Sequence, residues 1–139
     1  HVIKKAKPTL GICLGMQVMA KKGFEFGEHK GLGWFDAEVI KIDIQNTDLK
    51  LPNIGWNEIE QKKEHPLFKG ISSMSDFYLV HSFFMNCVDS NDVLATYQYG
   101  ENQITAAVLK DNIFATQFHP EKSQDNGLKL LSNFIKWKP

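Results

Sequence analysis

Pro8-Thr9-Leu10-Gly11-Ile12-Cys13-Leu14-Gly15-Met16-Gln17 is the stretch on which the reading of the chain turns. Residues 8–12 form a short apolar run, and residues 14–22 read as a helix with Leu14, Val18 and Met19 apolar and Gly23 just past its end. Gly11-Ile12-Cys13-Leu14-Gly15 therefore has the form G-x-C-x-G at a strand-to-helix junction, the layout of a nucleophile elbow. A tight elbow draws the flanking chains together, so a Cβ at either glycine is expected to clash. It also presents Cys13 at a helix N-terminus, where unpaired N–H groups and the helix dipole favour thiolate over thiol. Outside such a junction a cysteine among apolar residues reads as a small buried hydrophobe. The elbow reverses that reading.

A thiolate nucleophile needs a proton shuttle, and His119-Pro120-Glu121 offers one at the end of the apolar run 113–118. If the chain stays extended through Pro120, residues two apart share a side, which sets Glu121 beside the His119 ring. Cys13, His119 and Glu121 then fill the catalytic roles of nucleophile, acid/base and the group that fixes the imidazole tautomer. A hydrolase whose chain order runs nucleophile, acid, histidine would have to recruit Asp76 or Asp92 instead.

Outward from these motifs the chain is rich in strand patterns. Apolar residues in 34–44 fall first at Phe35, Ala37 and Val39, then at Ile40, Ile42 and Ile44, which predicts a strand that changes face through a bulge near Val39-Ile40. Residues 54–59, 77–84, 93–99, 104–109 and 113–118 are further strands, the last two joined as a hairpin by Lys110-Asp111-Asn112. Residues 123–137 carry Leu128, Leu131, Phe134 and Ile135 at amphipathic-helix spacing, with Ser123 as N-cap. Residues 24–33 read as an ordered glycine-containing loop, with Phe24, Phe26 and Trp34 around it packing locally. One α/β domain is expected.

Composition narrows the chemistry. The 139 residues balance 16 basic against 16 acidic groups, and every basic residue is Lys. The absence of Arg argues against nucleic acid as main partner, since phosphate and guanine recognition depend on the guanidinium fork. No apolar run approaches the ~18 residues of a membrane span, and no signal-peptide stretch follows His1, so a cytoplasmic protein is expected. Cys13 and Cys87 lack zinc-ligand spacing, so neither metal nor cofactor is expected, and Cys87 reads as packing. His81 reads equally as a satisfied core residue and as a substrate-site group.

These residues resemble the class I glutamine amidotransferases, whose glutaminase domains pair Gly-x-Cys-x-Gly with a late His-Pro-Glu. The resemblance extends through Gly31-Leu32-Gly33, Pro52, Gly55-Trp56-Asn57, His81-Ser82-Phe83 and Gln117-Phe118-His119-Pro120-Glu121-Lys122-Ser123. It implies a flavodoxin-like α/β glutaminase that releases ammonia from glutamine and passes it to a (β/α)8 cyclase subunit in histidine biosynthesis, as a heterodimer and without a cofactor. It implies that Cys13 is the nucleophile, that the Leu14 backbone N–H lies in the oxyanion hole, and that Gln17, Glu25, Ser82 and Phe83 hold substrate. It implies that Lys122 lies at the subunit interface and sets Trp56, which reads equally as a core residue, at the mouth of the site facing the partner. Residues 1–139 resemble the C-terminal two-thirds of such a domain, which reads as N-terminally incomplete, and the piece alone is expected to be inactive. An amidotransferase subunit serving a sugar-modifying enzyme, or a non-catalytic binding fragment, are the alternative readings.

Overall fold

Short apolar runs bounded by turn residues become ten strands and three helices in the computed structural model, which describes residues 2–139. In order they are α1 (Val2–Lys5), β1 (Thr9–Ile12), α2 (Leu14–Gln17), β2 (Ala20–Gly23), β3 (His29–Lys30), β4 (Phe35–Lys41), β5 (Asn53–Gln61), β6 (Ser75–His81), β7 (Phe83–Cys87), β8 (Val93–Tyr99), β9 (Asn102–Lys110), β10 (Ile113–Thr116) and α3 (Gln124–Lys136). One sheet has the order β1-β10-β9-β8-β5-β6 and the other β3-β2-β4-β7. β1 runs parallel to β10 and β2 parallel to β4, while the remaining pairs are antiparallel. The α/β class holds, with a mixed sheet and few helices.

Two cores explain which strands read as continuously apolar. The first gathers Ile59, Phe77, Leu79, Leu94, Tyr97, Ile104, Phe114, Phe118 and Leu130 of α3, and the second Met16, Met19, Phe35, Val39, Met85 and Val108. β10 alternates between them, with Phe114 in the first and Ile113 and Ala115 in the second, so all four of its residues are buried. Covered on both faces, it holds β1 and the elbow at a fixed level in the molecule.

Several sequence expectations are corrected. The helix expected over 14–22 stops at Gln17, and residues 20–23 form β2. Tertiary pairing overrides helical spacing here: β2 lies between β3 and β4, and Gly31 donates its N–H to Lys21 O at 2.8 Å. A Cβ at Gly31 would stand 2.1 Å from Ala20 O, so only glycine allows this approach. Gly23 consequently ends a strand, not a helix.

No bulge occurs at Val39-Ile40, where the β4–β7 ladder runs unbroken from Ala37 to Lys41. The apolar phase changes because Phe35, Ala37 and Val39 serve the second core whereas Ile42, past the strand end, enters the first. The run 77–84 is two strands in different sheets, divided at Ser82, and the run 113–118 ends as strand at Thr116. Phe26, expected to pack locally, is 96% exposed at a positive φ, while Trp34 packs on the second core. The 9–10 hairpin and α3 lie where the pattern placed them. Ser123 flanks α3 without capping it through its side chain: its hydroxyl donates to His119 O at 2.6 Å and accepts from Tyr78 N–H at 3.0 Å.

Candidate active site

Cys13 sits between β1 and α2 with φ 53° and ψ −108°, a left-handed conformation that a non-glycine residue adopts only where its surroundings hold it. The Thr116 carbonyl accepts its N–H at 2.8 Å, and its own carbonyl accepts the N–H groups of Met16 and Gln17. The elbow geometry is thus imposed by β10 on one side and the first turn of α2 on the other. The expected steric role of the glycines holds for Gly11, where a Cβ would meet Met19 Cε at 2.7 Å and Gly15 O at 3.0 Å. It fails for Gly15, where a Cβ would meet nothing within 4 Å.

A cavity of about 350 Å³ opens on the thiol, lined by Cys13, Leu14, Gln17, Glu25, Pro52, Val80, His81, Ser82 and Phe83. All five residues marked for substrate by the resemblance, Leu14, Gln17, Glu25, Ser82 and Phe83, line it together with Cys13. His81 does double duty. It is buried, with Nδ1 at 2.7 Å from Phe83 O and Nε2 at 2.6 Å from the Tyr97 hydroxyl, and it also borders the cavity. Burial lowers its pKa, the bond to Phe83 O opposing that shift. Neutral His81 therefore donates from Nδ1 and accepts at Nε2.

His119 and Glu121 meet with Nδ1 to Oε1 at 2.5 Å. The expected route to this contact is wrong in detail, because Pro120–Lys122 is a 3-10 turn and not an extended segment. The turn still brings Glu121 round to the ring, while the Tyr78 carbonyl accepts the His119 N–H at 2.9 Å. Among the described residues no hydrogen bond joins Cys13 to His119. The charges of Glu121 and Lys122 are nevertheless felt at the thiol, in opposite directions.

The thiolate expectation is also corrected. Burial raises the Cys13 pKa, and the opposing bonds from the Leu14 N–H and the Gln117 amide do not cancel it. A helix of four residues carries little dipole, so desolvation wins. At Cys87 every cause has one sign: burial, Asp92 and Asp89 push its thiol up to about 12. The carboxylate on His119 is Glu121, not Asp76 or Asp92, and the charge of Asp92 is felt at Cys87 instead.

Gln117 escaped the sequence reading as a functional candidate. It is fully buried, and its Nε2 stands 3.7 Å from Cys13 Sγ while its Oε1 accepts from Gln17 Nε2 at 3.1 Å. A polar residue inside an apolar run two positions before His119 was the available signal. Trp56 and Lys122 lie outside the cavity. Trp56 is 47% exposed and packs edge-on against Tyr78 at 5.9 Å between ring centroids, and Tyr78 in turn lies 6.5 Å from the His119 ring.

With this geometry established, similarity to known proteins is informative. The family described as glutamine amidotransferase class-I matches residues 1–137. The chain is 53% identical over 136 residues to "Imidazole glycerol phosphate synthase subunit HisH 1" of Campylobacter jejuni strain RM1221, covering 98% of this chain and 66% of that protein. It is 49% identical over 141 residues to "Imidazole glycerol phosphate synthase subunit HisH" of Brucella abortus strain 2308, covering 99% of this chain and 65% of that protein. The chain thus spans just under two-thirds of the length of these relatives. A glutamine amidotransferase from Thermotoga maritima superposes with a TM-score of 0.64 at 19% identity, over 97% of this chain and 50% of that one, a likeness of fold.

Proposed function

The chain belongs to the class-I glutamine amidotransferase family, and from that premise we propose that it carries the catalytic part, about two-thirds, of a glutaminase subunit of imidazole glycerol phosphate synthase. Its reaction is hydrolysis of glutamine to glutamate and ammonia, and the ammonia passes to a (β/α)8 cyclase subunit in histidine biosynthesis. The observation that carries this reading is the cavity in which Cys13 shares walls with Leu14, Gln17, Glu25, Ser82 and Phe83. The names of the two curated relatives support the choice of synthase over a sugar-modifying one.

The chemistry follows from the atoms present. Cys13 Sγ attacks the side-chain carbonyl carbon of glutamine after losing its proton to His119, and the oxyanion that forms is met by the Leu14 N–H. His119 then gives that proton to the departing ammonia, leaving a thioester. Water, deprotonated by His119, attacks the thioester, and the sulfur leaves as thiol with glutamate released. Glu121 holds Nδ1 throughout, so that Nε2 faces the reaction.

The test is glutamate release from glutamine by the full-length protein with its cyclase partner. Cys13→Ser abolishes it, while ammonium salts supplied directly still drive the partner's reaction. His119→Ala costs more in kcat than Glu121→Gln, because a lost base removes proton transfer whereas a lost orienting carboxylate leaves a poorly aligned base. Glutamine-dependent turnover in Cys13→Ser, or the reverse ranking, overturns the assignment.

A further inference from the structure

Two glutamine side chains, the half-buried Gln17 and the buried Gln117, stand in series between a backbone carbonyl and the nucleophile. An amide can point either way, so which end faces the sulfur has to be deduced from the bonds. The deduction starts at Phe83 O, which can only accept. Gln17 lies 3.0 Å from it and must present its NH2 there, which fixes the Gln17 amide. The same Nε2 lies 3.1 Å from the Gln117 side chain, so Gln117 must present its oxygen to Gln17. The remaining end of Gln117, its NH2, then points at Cys13 Sγ, 3.7 Å away. Phe83 O is itself anchored by His81 Nδ1–H, whose other nitrogen accepts from the Tyr97 hydroxyl, and that hydroxyl accepts from Asn53 Nδ2 at 3.2 Å. Every step of this line has one chemically permitted direction.

We propose that Gln117 is a positioning residue of the glutaminase site, held by Gln17 so that its amide donates to Cys13 Sγ and favours the anionic sulfur. The proposal deepens the glutaminase reading and rests on it for its catalytic meaning. A donor aimed at sulfur stabilises thiolate more than thiol, because hydrogen bonds to a charged acceptor are the stronger ones. Gln117 has no exposure to water, so its amide cannot turn to solvent and the donor stays where sulfur charge develops. Glu25 and His81 line the same cavity as the thiol, and Glu121 and Lys122 bear on it through their charges. Glu121 opposes the anion and Lys122 favours it.

The test reads the sulfur directly and needs no turnover. The rate of Cys13 alkylation by iodoacetamide is measured against pH in the full-length protein, with the modified peptide located by mass spectrometry. Gln117→Met keeps the volume and removes the donor. It lowers the neutral-pH rate about three- to tenfold, as expected for one hydrogen bond of ordinary strength, and moves the midpoint of the profile upward. Gln17→Met leaves Gln117 in place without its anchor and gives a smaller shift in the same direction. It also serves as the reporter if Gln117→Met does not fold. A midpoint unchanged from the wild type in whichever variants fold overturns the proposal, even where the wild type hydrolyses glutamine. An upward shift supports the geometry even where no hydrolysis is found, so failure of the glutaminase reading is distinguishable.

Discussion

His81 links fold stability to the site at the level of a single side chain. Buried between Tyr97 and Phe83 O, it is held neutral, its pKa below the usual 6.5. In the unfolded chain the ring protonates as pH drops through 6.5, so the unfolded state binds more protons there and stability falls as pH falls. The loss begins near pH 6.5 and continues down to the folded-state pKa, at up to about 1.4 kcal/mol per pH unit for one group. His65, also lowered by burial and by Lys63, adds a loss of the same sign. Denaturant midpoints at pH 7.5 and 5.5 should therefore show a smaller acid-induced drop in His81→Gln than in the wild type, with a residue left from His65. An equal drop in both proteins would show that His81 protonates without cost and that the buried line through Tyr97 is not rigid.

Among the elements, the turn at residues 120–122 is the one on which the site depends most, and Ser123 fastens it. Its hydroxyl bonds both the His119 carbonyl and the Tyr78 N–H, joining the His-Pro-Glu turn to β6 at a position only 2% exposed. Ser123→Ala leaves a buried N–H unpaired and should cost about 1–3 kcal/mol of stability. The accompanying expectation is a kcat loss larger than any change in KM, since His119 moves while the cavity wall does not. A variant that melts earlier but keeps full kcat would mean that the turn holds His119 without Ser123. The sequence marked Ser123 as a helix cap because serine before an amphipathic run is the usual signal. Its hydroxyl instead donates four residues back to His119 O, and the N–H that it accepts, that of Tyr78, is 45 residues away and leaves no local trace. The same distinction separates what was readable from what was not. The 9–10 hairpin, α3 and the pairing of His119 with Glu121 are specified by neighbours in sequence, and the elbow carries a local motif although distant β10 holds its geometry. β2 was misread as helix because its strand partners, β3 and β4, come later in the chain. The Ile40–Ile42 phase change looked like a bulge because one strand's apolar residues and the next core's were read together. Gln117 was passed over because a lone amide gains meaning only from Gln17 and Cys13, each about a hundred residues away.

On the scale of the whole molecule, the site is read from outside through a line of rings. β6 is an edge strand of the larger sheet, and across from its Tyr78 lies Trp56 of β5. Trp56 packs edge-on against Tyr78, whose ring stands next to His119. Lys122, exposed on the turn beyond His119, carries a positive charge that reaches Cys13. A partner docked over Trp56 and Lys122 would touch the proposed catalytic pair through Tyr78 on one side and the turn on the other. A half-exposed tryptophan in such a place has the character of an interface anchor, where truncation commonly costs 2 kcal/mol or more. Trp56→Ala in the full-length protein should therefore weaken association with the proposed cyclase subunit about tenfold or more by titration calorimetry, since about 1.4 kcal/mol corresponds to a factor of ten. Lys122→Met should weaken it less, because an ion pair at an exposed rim contributes little. Glutamine hydrolysis at saturating partner should fall only modestly in Trp56→Ala, for the ring touches neither Cys13 nor substrate. An undiminished affinity in Trp56→Ala would place the proposed partner on another face.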